Sequence, residues 1–124
     1  PAAAPHYIGS DAKVENSMIT EGCEIDGEID YSVLFANVTV EEGAEVTYSI
    51  VMPGTVVKKG AKVRYSIVAE NAVIDEGAQV GEKPENMADI KDWGVTVIGS
   101  GVHIGKGAKV EPKVMADSDV GGAE

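Results

Sequence analysis

The stretch GAEVTYSIV at residues 43–51 returns seventeen residues later as GAKVRYSIV at residues 60–68. A third, shorter copy begins at Gly77 and Ala78, again seventeen residues on. Repetition at a fixed period is typical of stacked structural repeats, in which each unit buries its apolar face only against its neighbours. The sequence therefore predicts a solenoid, and a functional site is best sought where the repeat is broken.

A finer step lies within the repeat, because aliphatic residues recur every six or five positions and a small residue usually stands two positions before each. This step matches neither a helix nor a long alternating strand, but a short strand followed by a tight turn explains it. Three such sides close one triangular coil. We predict an all-β, single-stranded parallel β-helix whose coils span residues 8–24, 25–39, 40–56, 57–73, 74–103 and 104–119.

Two irregularities interrupt the step. The gap from Ile25 to Ile29 is four residues, which shortens the second coil and places Gly27 at a tightened corner. After Val80 the series resumes only at Ile98, so that about thirteen residues leave the stack. We expect residues 1–7 to be a linker remnant, 8–120 the β-helix domain with an excursion at about 82–95, and 121–124 a disordered tail.

The excursion holds the only tryptophan and much of the helix-compatible sequence. A loop of this length in a compact fold is usually functional or packs as a flap. Three interpretations stay open: a flap that folds back through Met87, Ile90 and Trp93, a contact to another subunit or domain, and a ligand lid.

Composition limits the possible partners and the compartment. The net charge of −11 and the pI near 4.5 argue against nucleic acid or an anionic membrane as a partner, because phosphates would be repelled. No apolar run approaches the length of a membrane span. The single Cys23 falls on an inward position and is expected to be a buried apolar residue, which suits a reducing cytoplasm.

Few residues are candidates for a site. Arg64 is the only arginine; it should point outward, with Lys58, Lys59 and Lys62 on the same coil. Such a cluster can hold a phosphate through the guanidinium, or it can be a solvated corner that offsets acidic neighbours. His103 is expected to be exposed and without an evident polar partner. No catalytic motif and no metal-ligand spacing is present, so neither kind of site is predicted.

Several stretches resemble the C-terminal domain of bacterial glucose-1-phosphate adenylyltransferase, and the resemblance extends over roughly residues 5–112. The hexapeptide step is shared with acyltransferases and other sugar nucleotidyltransferases, whereas the short second coil and the late excursion are more specific. The stretches are PHYIG at 5–9, AKVENS at 12–17, EGCEIDGEI at 21–29, SIVMPGTVV at 49–57, Lys83-Pro84, and GVTVIG at 94–99.

The resemblance implies a left-handed β-helix and a parent enzyme that makes ADP-glucose and pyrophosphate from ATP and glucose 1-phosphate for glycogen synthesis. In that family the catalytic residues and the Mg²⁺ site belong to an N-terminal nucleotidyltransferase domain, so this chain would be non-catalytic alone and would bind no cofactor. It would be a cytoplasmic regulatory and oligomerisation domain of a homotetramer, packed against the N-terminal domain and responding to an anionic metabolite. Arg64 occupies a coil position where some relatives contact phosphate effectors.

Two alternatives remain open on the residues alone. One is a hexapeptide acyltransferase with His103 as general base, and the other is the solenoid of a non-catalytic partner subunit of the same enzyme. The sequence does not distinguish a sugar bisphosphate, a sugar monophosphate, pyruvate or AMP as the effector.

Overall fold

The computed structural model describes residues 7–84 and 94–122, and within these ranges the regular structure consists of short strands of two or three residues. In chain order the strands are β1 (Tyr7–Ile8), β2 (Lys13–Glu15), β3 (Met18–Ile19), β4 (Glu24–Ile25), β5 (Glu28–Asp30), β6 (Val33–Leu34), β7 (Thr39–Val40), β8 (Glu45–Thr47), β9 (Ile50–Val51), β10 (Val56–Val57), β11 (Lys62–Arg64), β12 (Ser66–Val68), β13 (Val73–Ile74), β14 (Gln79–Val80), β15 (Thr96–Ile98), β16 (His103–Ile104), β17 (Lys109–Val110) and β18 (Met115–Ala116).

Every third strand pairs in parallel with the next, which produces three six-stranded sheets. Sheet A has the order β1-β4-β7-β10-β13-β16, sheet B β2-β5-β8-β11-β14-β17, and sheet C β3-β6-β9-β12-β15-β18. Six coils at about 4.8 Å give a three-sided prism whose end strands are roughly 24 Å apart. The predicted β-solenoid of about six triangular coils is confirmed. None of the described residues forms a helix with the length and apolar character needed to cross a membrane.

The predicted inward positions form the core. Val63 is fully buried and lies in register between Val46 on the preceding coil and Val80 on the following one. Cys23 is also fully buried, as expected, and burial raises the pKa of its thiol. A continuous column of aliphatic side chains therefore replaces the separate hydrophobic layers of an ordinary globular core.

The strand register locates both irregularities. Glu24 pairs with Thr39, fifteen positions on, whereas Thr39 pairs with Val56, seventeen positions on. Gly27 lies at the shortened corner. The backbone is packed so closely there that a β-carbon at this position would collide with the backbone oxygen of Ala44. Val73 pairs with His103 across thirty positions, so the thirteen extra residues of this coil fall between β14 and β15 in the chain. The flap, contact and lid interpretations concern mainly residues 85–93, which lie outside the described ranges.

In the second, third and fourth coils, the corner between sheets B and C is formed by a repeated tyrosine. Tyr31, Tyr48 and Tyr65 have φ of 47°, 49° and 48°, the left-handed conformation that turns the chain from one sheet to the next. Their rings stack, with centroids 4.9 and 4.8 Å apart. The hydroxyl oxygens of Ser32 and Ser49, the residues that follow the first two tyrosines, each accept a hydrogen bond from the serine N–H one coil on. This tyrosine corner is a regular structural edge, beside which Arg64 lies.

Candidate functional site

Arg64 ends β11 on the outer face of sheet B, immediately before the tyrosine corner. Inward Val63 precedes it, so strand alternation turns the arginine outward as predicted, and its side chain is 29 % exposed. A surface recess opens beside it, which we call the Arg64 recess. It is lined by Glu45, Thr47, Tyr48, Arg64, Tyr65 and Lys83.

Within the recess Arg64 is paired with a carboxylate. Its Nε lies 3.3 Å from Oε1 of Glu45 and its Nη2 lies 3.5 Å from Oε2, so one edge of the guanidinium faces both oxygens of this acid. These distances are at the long end for hydrogen bonds, and partly exposed pairs of this kind contribute at most about 1 kcal/mol. Glu45 therefore orients the guanidinium, but the ion pair between the two side chains is weak.

Glu45 has a second cation beside it. In the ladder of sheet B, Glu45 lies directly opposite Lys62, while Thr47 lies opposite Arg64. A carboxylate displaced from Arg64 by an incoming anion would therefore remain close to a positive charge. Glu28 lies opposite Glu45 on the other side, so Glu45 has one cationic and one anionic neighbour in the ladder.

Lys83, which the sequence indicated only as part of the resemblance, is a cation of the recess that was not predicted there. It follows β14 at the start of the excursion and reaches the Arg64 recess from the coil above. Lys83 stands nineteen residues after Arg64, so no local sequence pattern links the two. The repeat nevertheless brings together equivalent positions on neighbouring coils. Lys58 and Lys59, which were grouped with Arg64, lie instead in the turn between β10 and β11, at the corner of sheets A and B. The backbone N–H of Lys59 donates to Glu41.

His103 has a polar partner, and the expectation that none is near it was wrong. Its Nε2 lies 2.9 Å from Oδ2 of Asp75, and its backbone N–H donates to Asp119. Asp75 lies on the previous coil, where its other oxygen accepts from the N–H of Glu76. That backbone hydrogen bond, followed by the His103 contact, lowers the pKa of the Asp75 carboxyl. The sequence distance of 28 residues includes the excursion, which hid the pairing.

Over residues 7–84 and 94–122, no cluster of three or more His, Cys, Asp or Glu side chains could hold a metal ion. The two candidate sites among the described residues are the Arg64 recess and the His103–Asp75 pair.

Comparison with known proteins gives a consistent result. Residues 3–100 match the family described as GlmU-like, C-terminal hexapeptide. A stretch of 44 residues is 57 % identical to glucose-1-phosphate adenylyltransferases from Bacillus thuringiensis (strain Al Hakam) and Bacillus mycoides (strain KBAB4), and 54 % identical to that of Bacillus cereus (strain Q1). The stretch covers 36 % of this chain and 12 % of each relative.

The matched family spans most of the chain, and its hexapeptide repeat fits the left-handed winding expected from the resemblance. The 44-residue stretch of 57 % identity supports the C-terminal domain of glucose-1-phosphate adenylyltransferase as the counterpart of this solenoid. The chain belongs to the GlmU-like, C-terminal hexapeptide family.

Proposed function

We propose that this chain is the regulatory and oligomerisation β-helix of a glucose-1-phosphate adenylyltransferase. The identity of 57 % over 44 residues to that enzyme carries the proposal. The parent protein makes ADP-glucose and pyrophosphate from ATP and glucose 1-phosphate, with Mg²⁺ held by an N-terminal nucleotidyltransferase domain. The β-helix itself supplies no catalytic group and works in the cytoplasm as part of a homotetramer.

The Arg64 recess is the proposed effector site. An anionic metabolite carrying a phosphate or carboxylate group displaces Glu45 and binds the Nε–Nη2 edge of the guanidinium through two hydrogen bonds, while Lys83 supplies a second positive charge. Such charge-assisted, bidentate hydrogen bonds are stronger than neutral ones, and a phosphate carries more charge than the carboxylate it replaces. The released Glu45 is retained near Lys62, its partner in the ladder.

The proposed regulation of the enzyme depends on the rigidity of the β-helix. The stacked coils form a stiff prism, and an anion bound in the recess changes the charge on one face of it. We infer that the prism docks differently on the nucleotidyltransferase domain with and without effector, which biases the active site between two states. An effector can shift that balance only through its different affinity for the two dockings.

The test uses the full-length enzyme that carries this chain. ADP-glucose formation is measured against increasing sugar bisphosphate, sugar monophosphate, pyruvate or AMP for the unmodified enzyme and for Arg64→Ala. Loss of hydrogen bonds to a charged group costs about 1.5–3 kcal/mol, so the half-saturating concentration of the active effector should rise by about 10- to 150-fold. Turnover without effector should be unchanged.

Two further variants sharpen this test. Glu45→Gln removes the competing carboxylate and should lower the half-saturating concentration, the opposite direction from Arg64→Ala. Lys109→Ala is the matched control, because Lys109 is a cation on the same sheet two coils away and pairs with Glu82 and Glu111. If none of these substitutions changes the half-saturating concentration of the effector, Arg64 is not part of the effector site.

The His103–Asp75 pair favours a second candidate function, acyl transfer with His103 as general base. A carboxylate that orients an imidazole is the arrangement that such a base requires. Acetyl-coenzyme A turnover by the chain that is lost in His103→Ala would support this candidate over the regulatory one. ADP-glucose synthesis by the full-length protein would support the adenylyltransferase.

A further inference from the structure

A segment after the sixth coil continues sheet A. Residues 117–122, which we call the C-terminal strap, follow β18, and Val120 within them pairs in parallel with Ile104 of β16. The N–H of Val120 donates to the C=O of His103 at 3.0 Å, and the N–H of Gly105 donates to the C=O of Val120 at 2.7 Å. The half-buried Val120 side chain packs against the core. The C-terminal strap therefore takes the place that the first strand of a seventh coil would have.

One hydrogen bond of the strap departs from the pattern of the stack. In the first five coils, the outward residue of sheet A donates its N–H to a backbone C=O of the next coil, as Val73 does to Val102. His103 is the outward residue of the sixth coil, but its N–H donates to Oδ1 of Asp119 at 2.8 Å. A carboxylate is the stronger acceptor of the two. The C-terminal strap thus holds both backbone polar groups of His103, the C=O through Val120 and the N–H through Asp119.

The sixth coil is shaped to receive the strap. Gly105 occupies the position that Asp75 has one coil earlier, so no side chain stands where the strap arrives. A β-carbon at Gly105 would collide with the backbone nitrogen of Gly122, and one at Gly122 would lie 2.6 Å from the backbone oxygen of Lys106. Strap and coil therefore pack backbone against backbone, which a larger residue at either glycine would prevent.

The imidazole of His103 is held from the opposite direction. Its Nε2 lies 2.9 Å from Oδ2 of Asp75 on the fifth coil, and its side chain is 49 % exposed. Hydrogen bonding rather than burial therefore fixes the ring. Because the strap fixes the backbone of the same residue, the strap and the contact with Asp75 meet at His103.

We propose that the C-terminal strap is a latch that keeps His103 paired with Asp75, and that opening the strap releases the imidazole. The strap is attached by two backbone hydrogen bonds, one carboxylate and one half-buried valine, whereas the inward residues of the central coils are fully buried. Segments with so few contacts open locally at a fraction of the free energy of global unfolding. Asp119 is accordingly a positioning residue. A partner that binds the opened strap would free an exposed imidazole on the outer face of sheet A. The inference does not rest on the proposed function.

Hydrogen exchange of the unmodified chain tests whether the strap opens by itself. The N–H of Gly105 reports on the strap, because its acceptor is Val120, and the N–H of Lys58, which donates to Ile74 within the stack, is the reference. In low urea, exchange at Gly105 should be at least about 100-fold faster than at Lys58 and should not depend on urea, because local opening exposes little surface. A rate at Gly105 that rises with urea as steeply as the rate at Lys58 would show that the strap opens only with the whole stack, which overturns the proposal.

Three substitutions test the role of the Asp119 carboxylate. Asp119→Ala removes the acceptor and should accelerate exchange at Gly105 by about tenfold or more, although the hydrogen bond of Gly105 itself is not altered. Asp119→Asn removes the same charge but keeps an oxygen acceptor, and should change the rate by less than about threefold. Asp117→Ala is the matched control, because it removes an exposed carboxylate from the same strap. Circular dichroism confirms that each variant is folded.

The coupling to the imidazole is read from the ¹⁵N shifts of the His103 ring. A ring held by Asp75 and a ring that exchanges tautomers freely give different shifts, and Asp75→Ala supplies the reference for the released ring. Asp119→Ala should move the Nε2 signal at least about half of the way to that reference, whereas Asp119→Asn should leave it near the unmodified value. The double variant should match Asp75→Ala alone, since both substitutions act on one contact.

Three results from the variants would overturn the latch. Faster exchange at Gly105 without a change at the ring would show that the strap opens but does not hold the imidazole. Equal effects of Asp119→Ala and Asp119→Asn would assign the change to the lost charge, and equal effects of Asp117→Ala would assign it to a general weakening of the strap. If Asp119→Ala does not fold, the urea dependence at Gly105 in the unmodified chain remains decisive.

Discussion

Replacing Val63 by aspartate tests the register on which the fold depends. Val63 is fully buried in a central coil, between Val46 and Val80. The substitution loses about 1.5–3 kcal/mol of side-chain burial. A buried carboxyl also resists ionisation, and a pKa raised by about three units adds about 4 kcal/mol at pH 7. The total, roughly 5.5–7 kcal/mol, approaches the whole stability of a small domain.

The pH dependence of the stability of Val63→Asp shows whether the buried carboxyl group causes the destabilisation. A folded-state pKa above the unfolded value means that the folded chain holds the extra proton, so stability falls as pH rises from about 4 towards the folded-state pKa. Urea unfolding followed by circular dichroism should therefore show Val63→Asp much less destabilised at pH 4 than at pH 7. Gln79→Asp, on the exposed outer face of the neighbouring strand, should change the free energy of unfolding by less than about 0.5 kcal/mol. Equal stability of Val63→Asp and the unmodified chain would refute the inward assignment.

Two other substitutions test local features. Gly27→Ala should lower the free energy of unfolding by about 1–3 kcal/mol, because its β-carbon would collide with the backbone oxygens of Ala44 and Glu41, which cannot move aside. A thermal melt that is unchanged would contradict this. Asp75→Asn should lower the melting temperature at pH 7, and the difference should shrink as pH falls below about 3.8, since a carboxyl with a lowered pKa stabilises the fold only while it is ionised. A difference that is the same at pH 7 and pH 2.5 would exclude the ionised carboxylate as its cause.

The candidate site was only partly visible in the sequence. Arg64 could be singled out because it breaks the repeat, and its outward direction follows from the buried Val63 before it. Its partner Glu45 and its neighbour Lys83 stand nineteen residues away on either side, where no local pattern marks them. The His103–Asp75 pair was missed for a related reason, because the excursion changes the spacing between coils from seventeen to thirty.

The sequence by itself determined the solenoid, because the seventeen-residue period and the five- or six-residue step can be satisfied only if Val46, Val63 and their equivalents share one interior. It also determined where the stack is irregular, since a missing or extra residue shifts the position of every later inward-pointing aliphatic residue. Only the tertiary structure decided which outward side chains meet, because these pairings run across coils rather than along the chain. The Arg64–Glu45 ion pair, the stacking at the tyrosine corner and the apolar outer face of sheet C all arise from that lateral contact.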